Sequence, residues 1–414
     1  MSKKSMTMVL STFTVLLAML LTACGGSSST SSSSSSGTTN LTVWAMGAEG
    51  DSLKTIASDF TKANPTIKVT VQSIAWSDAH SKLLTAVAGT QTPDVTQMGT
   101  TWMAEFAKTG ALDTTPSTFN KSDFYPGSWA TTVVNGTSYG VPWYSDTRLL
   151  YYRTDIAKKA GITSAPKTWN DVLTLAKAMQ AKGGSKYGIN LQNNDWEELV
   201  PFIYQGGGQL ASGNNYTLDT PQTVAALKYY QEFFNQNLTP ASMPNGFDMV
   251  QSFVQGNTPM FFSGAWNMSL ISQEGGKAIA GKWAIAPMPT NLNNESFVGG
   301  GDMVVFKNSP NSAAAWKFVQ YVTQPSVQAK WYTTMSDLPT TPAAFEQSSL
   351  VNDKNAQIFR QQLSTAQATP AQASWEEVAQ GIDTDMEQVM AGKMTPDAAA
   401  KDMQSKAVAA SNGN

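Results

Sequence analysis

One cysteine and one histidine in 414 residues set the first limits on this chain. With Cys24 alone no intrachain disulfide can form, and with His80 as the only imidazole a zinc site built from His and Cys is excluded. A Ser-His-Asp triad would have to use His80, which follows Asp78 in what reads as a first helical turn and is expected at the surface or a cleft rim. Charge is scarce as well. Asp, Glu, Lys and Arg make up 14% of the chain, and 27 basic against 30 acidic residues leave a net charge of −3. Such a balance, with scattered basic residues, argues against nucleic acid and against broad adhesion to anionic lipid. The uncharged stretch Ser5–Leu21 is too short for a confident transmembrane helix, which needs roughly 20 apolar residues.

What is present begins at the N-terminus. Lys3 and Lys4, the uncharged stretch and small residues before Cys24 form a secretory signal peptide over residues 1–23. Leu21-Thr22-Ala23-Cys24 resembles a bacterial lipobox, in which the cysteine is lipidated and becomes the first mature residue. The alternative is an ordinary signal peptide with an incidental cysteine. Residues 24–39 read as a flexible tether: Ser27–Ser36 is serine broken by one threonine, and nothing there buries enough apolar surface to offset the entropy of ordering. The protein is therefore expected outside the cytoplasm, anchored to a bacterial membrane through Cys24, with its folded part starting near Asn40.

About 375 residues remain, enough for two lobes. Leu41–Trp44 reads as a buried strand, followed by a helix with Leu53, Ile56, Ala57 and Phe60 on one face and ended by Asn64-Pro65. Ile67, Val69 and Val71 alternate as a strand; Asp78 can cap a second helix that stops at Gly89; Pro93–Met98 is a third strand before a helix over 101–109. Strand-like Tyr139–Trp143 and Leu149–Tyr152 are separated by Tyr144–Arg148. Helices at 169–182, 196–204, 221–234, 247–255 and 311–323 and strands at 187–191, 259–262, 283–286 and 303–306 complete the body. The last 70 or so residues look helical, with signals at Pro342, Ser374 and Pro396. Strands alternating with helices predict an α/β sheet that binds ligands at the carboxyl ends of its strands.

Several local motifs then carry a family resemblance. The strand with Trp44, the Asn64-Pro65 ending, Thr92-Pro-Asp-Val95, Gly140-Val-Pro142 with Tyr151-Tyr-Arg-Thr-Asp155, Gly264-Ala-Trp266, Gly299-Gly-Gly301 and the helix with Trp316 follow one another in an order that resembles the extracellular solute-binding proteins of carbohydrate ABC importers, maltose-binding-protein-like. The resemblance runs from about Leu41 to the C-terminus. It implies a periplasmic-binding-protein-like clamshell of two α/β lobes with three crossings: 40–146 and 297–338 in lobe 1, 147–296 and 339–414 in lobe 2. It also implies a monomer that is no enzyme, captures a mono- or oligosaccharide by lobe closure and delivers it to a membrane permease.

A sugar needs flat aromatic surfaces for its C–H faces and carboxylates or amides for its hydroxyls. On the resemblance, Trp266, Trp44 and Trp375 are the stacking candidates, with Trp143 a further one. Asp146, Asp195, Glu49 and Asp302 are the polar candidates, Asp195 being equally a helix N-cap. At the family's other stacking tryptophan this chain has Met98, and at its charged pair Thr101 and Trp102, so the family's sugar specificity does not transfer. No organic cofactor or metal is implied, a loop calcium site staying open. The rival readings are a binding protein for a polyol phosphate or polyamine and, in a different class, an exported glycosidase.

Overall fold

The computed structural model describes residues 37–244 and 246–413, so the expected signal peptide, Cys24 and the serine run lie outside the described residues. The folded unit starts at Thr38. Its main strands are β1 (Thr39–Met46), β2 (Ile67–Ile74), β3 (Val95–Gly99), β4 (Val141–Thr147), β5 (Leu149–Arg153), β6 (Met260–Ser263), β7 (Trp283–Ala286), β8 (Ser296–Val305), β9 (Leu338–Pro339) and β10 (Ala366–Ala368). They form two main sheets. The larger has the order β9-β4-β8-β3-β1-β2 with β10 beside β8, and the smaller is β6-β5-β7. β2, β1 and β3 run parallel, as expected of strands joined by helices, while β8 is antiparallel to both β3 and β4.

Each sheet buries its own apolar set. Leu41, Val43 and Val95 of the large sheet pack with Phe60 of the helix Gly47–Ala63 and Phe318 of the helix Ser312–Val322. Leu150 and Phe262 of the small sheet pack with Leu199, Phe202, Tyr230 and Ile382 from helices on its other side. A third cluster joins Tyr151 and Phe261 to Phe345 and Phe359 from the helices Pro342–Phe345 and Lys354–Leu363. Among the described residues no helix is long and apolar enough to cross a membrane.

The strands change sheet twice, and a third passage leads to helices. Arg148 alone separates β4 from β5; the return lies between β7 and β8. After β9 the chain leaves the large sheet for helices that pack Phe345 and Phe359 on Tyr151 and Phe261 of the small one, before β10 rejoins the large sheet beside β8. All three passages are neighbours, because β9 and β8 flank β4 and pair with it. Side chains reinforce the seam: Thr147 Oγ1 donates to Phe297 O (2.8 Å), and Ser296 Oγ accepts from Arg148 N (3.2 Å) and donates to Arg148 O (3.0 Å).

Four local expectations need correction. Tyr144–Thr147 is strand rather than loop, since its backbone pairs with β8 on one side and β9 on the other. Tyr187–Leu191 forms one isolated bridge, Asn190 to Phe261, because its backbone bonds are taken by loop carbonyls such as Leu238 O. Asp78 lies inside the first turn of the helix Trp76–Ala88, whose N-cap is Ala75. The strand expected at Met303–Phe306 is the end of β8, which runs through all three glycines.

Asp302 follows those glycines and is 1% exposed, with Thr131 Oγ1 its hydrogen-bond donor at 3.1 Å. Burial pushes its carboxyl up to about 8, against which the Thr131 bond does little. Between about pH 4 and 8 the folded chain thus holds a proton that the unfolded chain has released, so this group's contribution to stability falls as pH rises through that window and levels off above it. Asp302→Asn is expected to shrink the drop in Tm between pH 5 and pH 8 by a few degrees, roughly the effect of 1–2 kcal/mol; an unchanged drop in thermal unfolding scans contradicts this account.

Candidate functional site

The parallel strands β2, β1 and β3 all end at one edge, and the residues just past their carboxyl ends build one wall of a cavity of about 570 Å3. Trp76 follows β2, Ala48 and Glu49 follow β1, and Thr100–Trp102 follow β3. The facing wall comes from helix starts: Trp196 and Glu197 open the helix Trp196–Gln205, Trp266 immediately precedes the helix Asn267–Ile279, and Glu376 lies in the first turn of the helix Trp375–Met390. The passages supply the floor, with Tyr144, Asp146 and Arg148 from one and Phe297, Gly299 and Gly300 from another. Four indoles and four carboxylates therefore surround one space.

The floor is held by charge. The Arg148 guanidinium bridges Asp146 Oδ2 and Glu197 Oε2, and lies 5.1 Å from the centre of the Trp266 ring and 5.8 Å from that of Phe297. Burial alone would lower the guanidinium, but the two carboxylates outweigh it and hold it above its usual value. Asp146 goes the other way. Burial, only partly offset by Arg148, pushes its carboxyl up to about 7, and its Oδ1 has no partner. Across the cavity, burial also raises Glu49, although its own backbone, Trp76 and Tyr144 donate to it. Tyr144 is fixed in turn: its hydroxyl oxygen accepts from Gln97 Nε2 (2.9 Å), and Gln97 Oε1 accepts from the Met46 N–H (2.8 Å). Glu376 is raised by burial as well, with Thr101 donating to it and Oε1 left unpartnered. Such a lining offers apolar faces and unmet acceptors, the complement of a polyhydroxylated ring. Among the described residues no group of three or more His, Cys, Asp or Glu is arranged to hold a metal.

Of the residues singled out in the sequence, Trp266, Asp146 and Glu49 line this cavity. The other five do not. Trp44 is half-buried beneath Lys82, whose Nζ is 4.9 Å from its ring centre, since the cavity is reached only past the end of its strand. Trp143, 1% exposed, packs on Trp331 at 4.8 Å and edge-on to Tyr144 at 5.3 Å, outside the cavity lining. Trp375 is fully buried and backs the wall, its ring edge-on to Trp196 at 5.1 Å. Asp195 takes the N-cap role, accepting from Glu197 N at 2.9 Å. Asp302 is turned to the far side of β8, where a bulge between Gly301 and Asp302 shifts the register. Trp76, Trp196, Glu197 and Glu376 were missed; each sits in the first turn of a helix, a position that signals a start but not what it faces.

A family model for bacterial extracellular solute-binding proteins matches residues 45–329. The chain belongs to that family. Its relatives among solved structures include the sugar-binding protein MalE of Xanthomonas citri, 33% identical over 91% of this chain and 98% of that one, with a TM-score of 0.81. The GacH receptor of Streptomyces glaucescens, solved unliganded and with acarbose, is 26% identical over 89% and 97% of the two chains, with a TM-score of 0.83. The diacetylchitobiose binding protein DasA of Streptomyces coelicolor is 28% identical over 384 residues, 87% of each chain. This solute-binding protein thus has the α/β fold expected of it, and its family binds solutes rather than transforming them.

One glycine beside the cavity makes the packing testable. Gly264, held by Tyr151 Oη donating to its carbonyl (2.7 Å), lies where a Cβ would collide with both the Trp266 ring and the Asp146 carboxylate. Gly264→Ala should therefore destabilise the protein by about 1–3 kcal/mol in urea titrations and change its tryptophan fluorescence. Gly127→Ala, where a Cβ meets open space, serves as the near-neutral control; equal effects of the two would sink the packing argument.

Proposed function

We propose that this protein captures a mono- or oligosaccharide outside the cytoplasm and delivers it to the membrane subunits of an ABC importer. One observation carries the reading: a cavity of about 570 Å3 in which Trp76, Trp102, Trp196 and Trp266 surround buried carboxylates with unpartnered oxygens. Its size lies within the roughly 300–1,000 Å3 of small-ligand sites. Trp266, Asp146 and Glu49 are the proposed contacts retained from the sequence, joined by Trp76, Trp196 and Glu376. Relatives described as binding sugars, acarbose and diacetylchitobiose support the same class of ligand.

The proposed working parts are residues 40–146 with 297–338 and residues 147–296 with 339–414, acting as two lobes. Ligand that touches Trp76 and Glu49 on one and Trp196 and Trp266 on the other would favour a closed arrangement, since only differential affinity shifts such an equilibrium. Lipidation of Cys24 would keep a monomeric chain at the membrane on its serine leash. The main rival ligand is a polyamine, which four carboxylates facing a single arginine would also suit. A polyol phosphate finds less here, because Arg148 is already engaged by Asp146 and Glu197.

Thermal unfolding of the purified protein against saccharides, polyols and polyamines tests the ligand class. A ligand at 100 times its dissociation constant adds about 2.7 kcal/mol and raises Tm by a few degrees. A response to polyamines alone would overturn the sugar reading. For the sugar that responds, Trp266→Ala is expected to weaken binding at least about tenfold, or 1.4 kcal/mol; unaltered affinity in calorimetry removes Trp266 from the site. Cys24→Ser should move the protein from the membrane fraction to the soluble extracytoplasmic fraction, and continued membrane association contradicts the anchor.

A further inference from the structure

A second cavity of about 560 Å3 adjoins the first, and the two share Trp76, Trp102, Trp196 and Glu376 in their walls. The shared residues stand at the junction. Trp76, 38% exposed, meets Trp102 edge-on at 5.6 Å, and the backbone N–H of Trp196 is fixed by Asp383 Oδ1 at 2.6 Å. Beyond them the second chamber is lined by His80, Glu105, Glu377, Gln380 and Asp383. His80 Nε2 pairs with Glu105 Oε2 at 2.8 Å, and its ring lies edge-on to Trp102 at 5.2 Å. Among the described residues no lysine or arginine lines this chamber.

Resting on the sugar reading above, we infer that the ligand is a neutral oligosaccharide of three or more units that runs through both chambers. Each chamber alone is within the range of a small-ligand site, so a mono- or disaccharide fills one and leaves the other to water. The indoles at the junction offer stacking surface to the unit that passes between chambers. In the second chamber the carboxylates and Gln380 accept from sugar hydroxyls, and Gln380 and His80 can donate. The same acidic lining, with no Lys or Arg to offset it, disfavours uronic acids and phosphorylated sugars. Chain length and neutrality are thereby read in the second chamber, separately from the stacking on Trp266 in the first.

Calorimetric titration of the full chain with a neutral series from mono- to pentasaccharide, and with a uronate counterpart, tests this. Affinity should rise about tenfold or more between di- and tetrasaccharide, and the uronate should bind more weakly than its neutral equivalent. Gln380 is exposed on the helix Trp375–Met390, so Gln380→Trp fills the second chamber without touching the core. It should leave disaccharide affinity within about threefold and abolish the gain with length, and the double variant Glu377→Ala, Gln380→Ala should reduce that gain without reaching the disaccharide. Affinity that is flat from disaccharide upward, or variants that weaken short and long ligands alike, would overturn the two-chamber inference while leaving the sugar reading intact. Failure of every saccharide to bind rejects both.

Discussion

Arg148 is the residue on which the arrangement turns. It is the single residue between β4 and β5, so it stands where the chain leaves one sheet for the other, and its guanidinium is buried between Asp146 and Glu197 beneath Trp266 and Phe297. Taking Arg148 and Asp146 out of water costs several kcal/mol per ion, which the pairing recovers only while both remain together, with Glu197 completing the bridge from the partly exposed side. The raised Asp146 carboxyl records the imbalance: burial exceeds what Arg148 returns. The ion chain therefore contributes position more than stability. It ties a passage residue, a helix start and the Trp266 indole into one unit, and loss of the arginine would leave the Asp146 carboxylate buried without compensation.

Around that unit the backbone comes unusually close to side chains, and glycine permits it. A Cβ at Gly264 would displace the Trp266 ring and Asp146 together. Gly300, at φ +127°, lies against the Tyr144 carbonyl, where any side chain would clash with the neighbouring strand. Gly300 lets β4 and β8 pair across the floor while Tyr144 and Phe297 line the cavity. The wall opposite is rigid for a different reason. Glu49 is held by Trp76 and Tyr144, and Tyr144 by Gln97, which is itself anchored to the Met46 backbone. A network anchored to a strand end can fix a carboxylate in the orientation a hydroxyl requires.

The sheet-forming parts of the fold were legible because their patterns are local. Period-two runs in β1 and β2, the helix faces of Leu53–Phe60 and Ala315–Val322, and the punctuation at Asn64-Pro65 and Gly89 each declare themselves within a dozen residues. The passages were harder. Tyr144–Thr147 is polar and reads as loop, yet is strand because two other passages supply its hydrogen-bond partners from far along the chain. The site divides the same way. Trp266 and Asp146 were visible because a motif and a crossing mark them, whereas Trp76 and Trp196 are ordinary helix-start tryptophans until the fold turns both toward one space. Trp143 and Trp375 mislead for the complementary reason: indoles serve equally in a core, and nothing within a strand or helix says which side another element will cover.

The unmet oxygens connect the electrostatics to binding. Asp146 Oδ1 and Glu376 Oε1 are buried without donors, and burial raises both carboxyls. A hydroxyl-bearing ligand brings donors to such oxygens, favouring their charged forms, and each new bond offsets a desolvation cost already incurred in folding. A carbohydrate lacking the hydroxyl at that place would leave the oxygen buried and unpaired, which is why polar sites of this kind discriminate more sharply than apolar ones. The stacking indoles tolerate any ring; the acceptors do not. In the proposed site, selection among sugars would therefore fall to the carboxylates, and these are held where they are by Arg148 on one side and by the Trp76, Tyr144 and Gln97 relay on the other.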